Sequence, residues 1–170
     1  MNLFKADDMV ACTSPGGRSI SFVVKGNPTI QERAGVNWKG RFRPVIYDPS
    51  QKNKVLFREA VRVEMAAIGL PTEAYFCDQT AIKLKVKFVL PRPKKDVQKK
   101  KVKPNRALSF PRGKDIDNLL KFVMDALEQT LYMNDTNIVH VECEKCFCAS
   151  DSVDSVGWTE LNFWKVVCID

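Results

Sequence analysis

Two stretches of the chain place apolar residues at the spacing of an α-helix. The first predicts a helix from about 51 to 68, which Ser50 could cap and Gly69 would end. The second predicts a helix over about 116 to 131, with Asp115 at its N-cap, because its apolar residues form one wide stripe. That stripe consists of Ile116, Leu119, Leu120, Val123, Met124, Leu127 and Leu131.

Further stretches have the composition or the alternation of β-strands, namely 19–24, 81–90, 138–147 and 158–168. The alternation is most regular in 81–90, where Lys83, Lys85 and Lys87 predict a strand with one wet, basic face. Trp158 and Trp164 lie within the last strand pattern, so we expect them in the core.

The stretch 27–49 is polar and has no sustained period, so it is predicted to be a loop. The resulting order of elements is β, α, β, α, β, β. This order predicts an α/β (α+β) fold, a single small domain in which a mixed β-sheet carries two main helices on one face. We expect the domain to span 19–170, after an N-terminal extension at 1–18.

The composition is that of an ordinary globular protein, since 45% of the 170 residues are hydrophobic and 28% are charged. There is no apolar run of about eighteen residues and no secretion signal, so we expect an intracellular, soluble protein with no membrane association. A bacterial or phage cytoplasm, a nucleus and an organelle all fit equally. The six cysteines do not form the dense framework of a small secreted domain, so reduced thiols are expected.

The positive charge is concentrated in one part of the chain. The protein carries a net +7, yet the stretch 91–114 alone carries +9, so the rest sums to −2. We interpret 91–112 as a basic insertion that binds along the phosphate backbone of a nucleic acid. A nuclear-import signal would have the same composition. The basic residues at issue are Lys99, Lys100, Lys101, Lys103, Arg106, Arg112 and Lys114.

Four acidic residues lie in or beside the second predicted helix. Asp115 and Asp117 are at its start, Asp125 is within it, and Asp135 follows it. Asp135 could join the first two if the following strand runs back past the helix start. Three carboxylates within ~5 Å would repel by roughly 3 kcal/mol per pair at an effective dielectric of 20, so such a cluster needs a cation. Oxygen ligands with open water positions suit Mg²⁺, with Mn²⁺ expected to substitute.

The same acids also have a purely structural explanation. Aspartate is a favoured helix cap, and Asn134-Asp135 is a common turn pair. Lys121 lies one helical turn from both Asp117 and Asp125. It could contact a phosphate or form an ordinary salt bridge with either acid.

Residues 113–127 read GKDIDNLLKFVMDAL, and residues 132–139 read YMNDTNIV. These motifs resemble the signature of RusA-type Holliday junction resolvases in both residues and spacing. The resemblance implies that Asp115, Asp117 and Asp135 are the metal-binding catalytic acids and that Lys121 is the active-site lysine. It also implies supporting roles for Asn118 and Asp125. The chain departs from the family pattern at Asn134, where the family has an acid.

The resemblance further implies a homodimer that resolves four-way DNA junctions by paired nicks with 5′-phosphate and 3′-hydroxyl ends, in DNA recombination and repair. Residues 26–28 and 47–49 resemble the N-terminal region of the family, in which Arg33, Arg41 and Arg43 would face DNA. Two alternatives remain open. One is a nuclease directed at flaps or forks, and the other is a catalytically inactive protein that binds branched DNA.

A zinc site is a further possibility at the C-terminal end, where His140, Cys143, Cys146 and Cys148 are close in sequence. On a strand, however, Cys143 would point to the face opposite His140 and Cys146. Buried reduced thiols are therefore the favoured interpretation. Trp38, in a basic stretch, is the tryptophan that we expect to be able to stack on DNA bases.

Overall fold

The computed structural model describes residues 19–38, 43–71, 75–77, 80–93, 97–98, 101–102, 111–148 and 156–166. Two helices and eight strands lie in these ranges. In chain order they are β1 (Ser19–Lys25), β2 (Gly35–Trp38), β3 (Pro44–Tyr47), α1 (Gln51–Ala67), β4 (Ile82–Leu90), β5 (Val97–Gln98), β6 (Lys101–Val102), α2 (Ile116–Leu127), β7 (Ile138–Phe147) and β8 (Trp158–Lys165). Within these ranges, neither helix has the length and apolar content needed to cross a lipid bilayer.

The main sheet has four strands in the order β1-β8-β4-β7. The β4–β7 pair is parallel, and β8 pairs antiparallel with both β4 and β1. The predicted fold class, a small α+β domain with a mixed sheet and two main helices, is therefore confirmed. The chain reaches β7 from β4 by way of α2, which makes α2 the crossover helix of a parallel pair.

The hydrophobic core lies between one face of this sheet and the two helices. The inward side chains of β1, β4 and β8 alternate with outward ones, and those of α1 and α2 complete the same cluster. Phe163 is fully buried at its centre, with ring centroids 6.1 Å from Phe22, 6.4 Å from Phe76 and 6.5 Å from Tyr132. The core thus fixes the two helices against the sheet and orients the outer surface of α2.

The outer face of the sheet corrects two expectations. Trp158 and Trp164 are half-buried on this face rather than in the core, because Thr159, Leu161 and Phe163 occupy the inward positions of β8. The lysine face of β4 is exposed as predicted, but its charge is largely neutralised. Lys83 and Lys85 pair with Glu142, and Lys87 pairs with Glu144. The register of β4 with β7 places Lys85 opposite Glu142 and Lys87 opposite Glu144.

The prediction of a loop over 27–49 was wrong in part. Gly35–Trp38 and Pro44–Tyr47 form an antiparallel hairpin that is separate from the main sheet. A Cβ at Gly35 would lie 2.4 Å from the ring of its partner Tyr47, so a larger residue here would require this exposed tyrosine side chain to move. Four-residue strands with polar neighbours show too little alternation to be recognised from sequence.

The second helix ends earlier than the apolar stripe suggested, at Leu127 rather than at 131. Gln129 then adopts a left-handed backbone conformation with φ of 59°, and its N–H donates to the carbonyl of Tyr132. Leu131 and Tyr132 are still buried, so the apolar pattern continued while the helix did not. In the basic segment, β5 and β6 pair over two residues each, and its remaining residues between 94 and 110 lie outside the described ranges. Residues 1–18 do so too, and the domain boundary stays a prediction.

Candidate active site

Two exposed carboxylates mark the start of α2. Asp115 is the N-cap residue, and its backbone carbonyl accepts the Leu119 N–H at 3.1 Å. Its carboxylate makes no capping hydrogen bond, and Asp117 follows in the first helical turn. Within the described ranges neither carboxylate has a hydrogen bond or an ion pair. The positive end of the helix dipole favours negative charge here, and both carboxylates remain available to a ligand.

Three contacts hold the start of α2 in place. The Lys145 ammonium, near the end of β7, donates to the Lys114 carbonyl at 2.6 Å. The Lys114 ammonium donates to the Pro28 carbonyl, and burial lowers the pKa of this half-buried lysine. The Gln31 N–H donates to the Asn118 carbonyl at 2.8 Å. Lys114, which the sequence assigns to DNA binding, thus directs its ammonium toward the protein.

The polar face of α2 borders a pocket of about 290 Å³. Asn118, Lys121 and Asp125 contribute the helix side, and the segment before β2 contributes the opposite side with Gln31 and Arg33. The Lys121 side chain is exposed and has no ion pair with another described residue. The Gln31 Oε1 atom is buried in this region and has no hydrogen-bond partner among the described residues. The two supporting residues and the proposed active-site lysine therefore share one polar surface.

An ion triad with a buried lysine and two partly exposed carboxylates lies beside this pocket. Lys54 of α1 donates to Asp48 at 2.8 Å and to Asp125 at 2.7 Å, and its side chain is only 8% exposed. Burial alone would lower the pKa of Lys54, but its hydrogen bonds to Asp125 and Asp48 outweigh that effect and raise the pKa. Burial would likewise raise the pKa of Asp48, but hydrogen bonds from Lys54, Ser50 and Gln31 lower it.

Asp135 lies in a different part of the domain. It begins a short 3-10 turn, Asp135–Asn137, that leads directly into β7. Asn134 caps this turn by accepting the Thr136 N–H at 3.0 Å, while Asn137 accepts the Asn134 N–H at 3.2 Å. Asn134, the departure from the family pattern, thus has a clear structural role here. The Asp135 carboxylate is exposed and has no described hydrogen bond.

A single chain does not bring the three predicted acids together. Lys145, near the C-terminal end of β7, contacts Lys114 just before α2. β7 therefore runs from Asp135 toward the start of α2. Asp135 therefore lies near the C-terminal end of α2, and about 15 Å of helix separates Asp117 from that end. Over the described ranges, no three acidic, histidine or cysteine side chains are placed to hold one metal ion. The assignment of three metal ligands stays a prediction.

The other predicted DNA-binding residues are only partly described. Arg33, Arg43 and Arg112 have exposed side chains. Lys101 is in β6, but nothing can be said of its side chain. The remaining five predicted residues lie outside the described ranges, namely Arg41, Lys99, Lys100, Lys103 and Arg106.

The zinc alternative gains no support from the geometry. His140 pairs in register with Lys83 on the outer face, whereas Cys143 packs against the core on the opposite face. Burial raises the pKa of the Cys143 thiol to about 11 and also raises that of Cys146. Protonated thiols are poor metal ligands, so reduced structural cysteines remain the favoured interpretation.

Lys54 and Asp48 are parts of the site that the sequence did not reveal. Lys54 contacts Asp125 across a separation of 71 residues, which no local motif can reveal. Asp48 had a weak signal, since residues 47–49 resemble a family segment. Its carboxylate joins the loop before α1 to the helix itself, through Ser50 N at 2.8 Å and Lys54.

The fold and the α2 motif together define the class of protein, a small α+β domain with a mixed sheet and two exposed carboxylates at the start of its crossover helix. The sequence profile of the family described as Endodeoxyribonuclease RusA matches residues 25–153, so the chain belongs to that family. It is an endonuclease of the Holliday junction resolvase type, from a family that acts on branched DNA junctions in recombination and generally depends on divalent metal ions. The chain is also 28% identical over 137 residues to "Uncharacterized protein YqaN" of Bacillus subtilis (strain 168), covering 79% of this chain and 92% of that protein.

Proposed function

We propose that this protein is a Mg²⁺-dependent endodeoxyribonuclease that resolves four-way junctions by paired phosphodiester hydrolysis, as a homodimer, in recombination and repair. The observation that carries the proposal is the surface of α2. Asp115 and Asp117 are exposed carboxylates with no hydrogen bond or ion pair to a described residue, and Lys121, one helical turn after Asp117, has no described ion pair either. Carboxylates with a purely structural role would be expected to cap the helix or to pair.

The donor chemistry of these residues fits a divalent metal. Carboxylate oxygens are the ligands that Mg²⁺ and Mn²⁺ prefer, and Asp115 and Asp117 would hold the ion from the helix start. When bound, the ion would polarise a phosphoryl oxygen and lower the pKa of an attacking water. Lys121 would contact the same phosphodiester as a compact positive charge. Arg33 and Arg43, both exposed, would bind neighbouring phosphates.

Asp135 enters this proposal from a second copy of the chain. In one chain it lies at the end of α2 opposite Asp117, beyond the reach of a shared ion about 2.1 Å from each ligand. A two-fold dimer offers a way to bring the Asp135 of one chain to the Asp117 of the other. Such a dimer has two identical sites, and a four-way junction needs two nicks in opposed strands.

Cleavage of a synthetic four-way junction, a flap and a linear duplex, each with and without Mg²⁺, tests the proposal. We expect Mg²⁺-dependent paired nicks in the junction and none in the duplex. Asp117→Asn should abolish cleavage while junction binding persists, because it removes a ligand without adding bulk. Glu144→Gln is the matched control, since Glu144 is an exposed acid on the outer face of the sheet.

Two results would favour the alternatives. Preferred cleavage of the flap or a fork would identify a nuclease with a different branched substrate. Tight junction binding with no cleavage in Mg²⁺ or Mn²⁺ would identify an inactive DNA-binding protein. The second result would point to Asn134 as the cause of the inactivity. Its side chain caps a turn at a position where the family has an acid.

A further inference from the structure

The polar face of α2 has a charge arrangement that would ordinarily pair with itself. Asp117, Lys121 and Asp125 follow one another at intervals of four residues, so Lys121 has an acid one turn away on each side. Side chains at this spacing readily form ion pairs on a helix surface. Nevertheless, Lys121 has no ion pair with either acid in the described structure.

Lys54 accounts for the absence of the Lys121–Asp125 pair. The Asp125 Oδ2 atom accepts from the Lys54 ammonium at 2.7 Å, and Lys54 is almost completely buried. A buried ammonium that loses a partner carries an uncompensated desolvation cost, so Lys54 holds its carboxylates firmly. The Asp125 Oδ2 atom is thereby directed toward α1, where Lys54 competes with Lys121 for this carboxylate.

We propose that Lys54 is a positioning residue that keeps Asp125 away from Lys121 and so leaves the Lys121 ammonium available to a DNA phosphate. The proposal rests on the proposed function, in which Lys121 contacts the scissile phosphodiester. It gives Asp125 a defined role, since the acid links α1 to α2 through Lys54 instead of neutralising the neighbouring lysine.

The two carboxylates that share Lys54 would respond differently to its removal. Asp48 keeps hydrogen bonds from Ser50 N at 2.8 Å and from the Gln31 side chain at 3.0 Å. Asp125 has no other partner within the described residues. Without Lys54, the cation one helical turn away is Lys121, and Asp125 would pair with it. The loss of Lys54 would then appear as a loss of Lys121 function.

The test is a set of single-turnover cleavage rates on a four-way junction. Lys54→Met should lower the rate between about three- and tenfold, because an ion pair of Lys121 with Asp125 competes with the phosphate. The double variant Lys54→Met/Asp125→Asn should return to within about twofold of wild type. Lys52→Met is the matched control, since Lys52 is an exposed lysine of the same helix.

A second comparison separates positioning from simple structural support. In a Lys121→Ala background, the further change Lys54→Met should leave the cleavage rate unchanged, because Lys54 acts through Lys121. A purely structural role would lower the rate by the same factor in both backgrounds. If Lys54→Met alone does not fold, Asp125→Asn against Lys54→Met/Asp125→Asn remains informative. Equal rates in this pair support the proposal, and unequal rates overturn it.

The outcomes distinguish this proposal from the proposed function. If Lys121→Ala cleaves at the wild-type rate, the assigned role of Lys121 is wrong and the present proposal fails with it. If Lys121→Ala is impaired but Asp125→Asn does not rescue Lys54→Met, Lys121 keeps its role and the positioning role of Lys54 alone is overturned.

Discussion

A dimer assembled from two different inactive chains is expected to cleave a four-way junction. One chain carries Asp117→Asn, and the other carries Asp135→Asn. Each variant alone should be inactive, because every site of its homodimer lacks one ligand. In the mixed dimer, one site would lack both ligands, while the other would combine an intact Asp117 from one chain with an intact Asp135 from its partner.

The structure makes this expectation quantitative. About 15 Å of helix separates Asp117 from the end of α2 near Asp135, whereas two ligands of one Mg²⁺ ion lie within about 4–5 Å of each other. A shared site therefore needs two chains. Random exchange of equal amounts makes about half of the dimers mixed, each with one intact site of two. Junction nicking should recover to about a quarter of the wild-type level in the unfractionated mixture, and to about half of it for mixed dimers purified through two different tags.

The assay uses differently tagged chains that are co-expressed and purified through both tags. Light scattering should report about 39 kDa, twice the 19.3 kDa of one chain. A mixed dimer should nick one strand of a cruciform plasmid without linearising it. The pair Asp115→Asn with Asp117→Asn is the control, because both ligands belong to the same chain and neither site would be intact. Mixed dimers that form but fail to nick would refute the shared site.

The remaining predictions concern stability and DNA affinity. Phe163→Ala should lower the free energy of unfolding by about 3–5 kcal/mol in urea titrations, since this ring is fully buried at the centre of the core. Because the pKa of Asp48 is lowered in the folded state, its contact with Lys54 stabilises the fold above pH about 4, and this stability is lost as the pH falls through the lowered pKa. Asp48→Asn should therefore weaken the dependence of the free energy of unfolding on pH in the acid range. The raised pKa of Lys54 places the corresponding loss at alkaline pH, above 10.5. Replacing four lysines of the basic segment with alanine should reduce the salt dependence of junction binding, by roughly 0.9 log units of affinity per log unit of salt for each lost phosphate contact. The four are Lys99, Lys100, Lys101 and Lys103. If the salt dependence does not change, nuclear import or simple solvation becomes the better explanation of these lysines.

The elements with strong periodicity were predictable from sequence, because burial on one face imposes it. The apolar positions of α1 and β4 gave their bounds to within about two residues. The hairpin of β2 and β3 could not be predicted, since its exposed side chains, such as Ile46 at 73%, carry no inward pattern. For Trp158 and Trp164, the strand was correct, but the alternation of β8 places them outward.

The candidate site also contains some residues that the sequence could identify and others that it could not. Asp115, Asp117 and Lys121 lie within seven consecutive residues of one helix start, so a local motif is sufficient to identify them. The partner of Asp125 was not accessible from sequence, because Lys54 lies 71 residues earlier and meets it only when α1 packs on α2. Local spacing allowed a Lys121–Asp125 pair, and tertiary packing selected a different one.

Topology explains why the predicted acids do not meet in one chain. β4 and β7 are parallel and adjacent, so the chain must return along the sheet between them, and α2 makes that return. The start of α2 therefore lies at the carboxyl edge of both strands, as the contact of Lys145 with Lys114 shows. Asp135, which precedes β7, necessarily lies at the opposite edge. The basic segment begins after β4 and ends before α2, and both of these ends lie at that carboxyl edge. A dimer that brings Asp135 of one chain to Asp115 and Asp117 of the other must place the amino edge of one sheet beside the carboxyl edge of the other sheet.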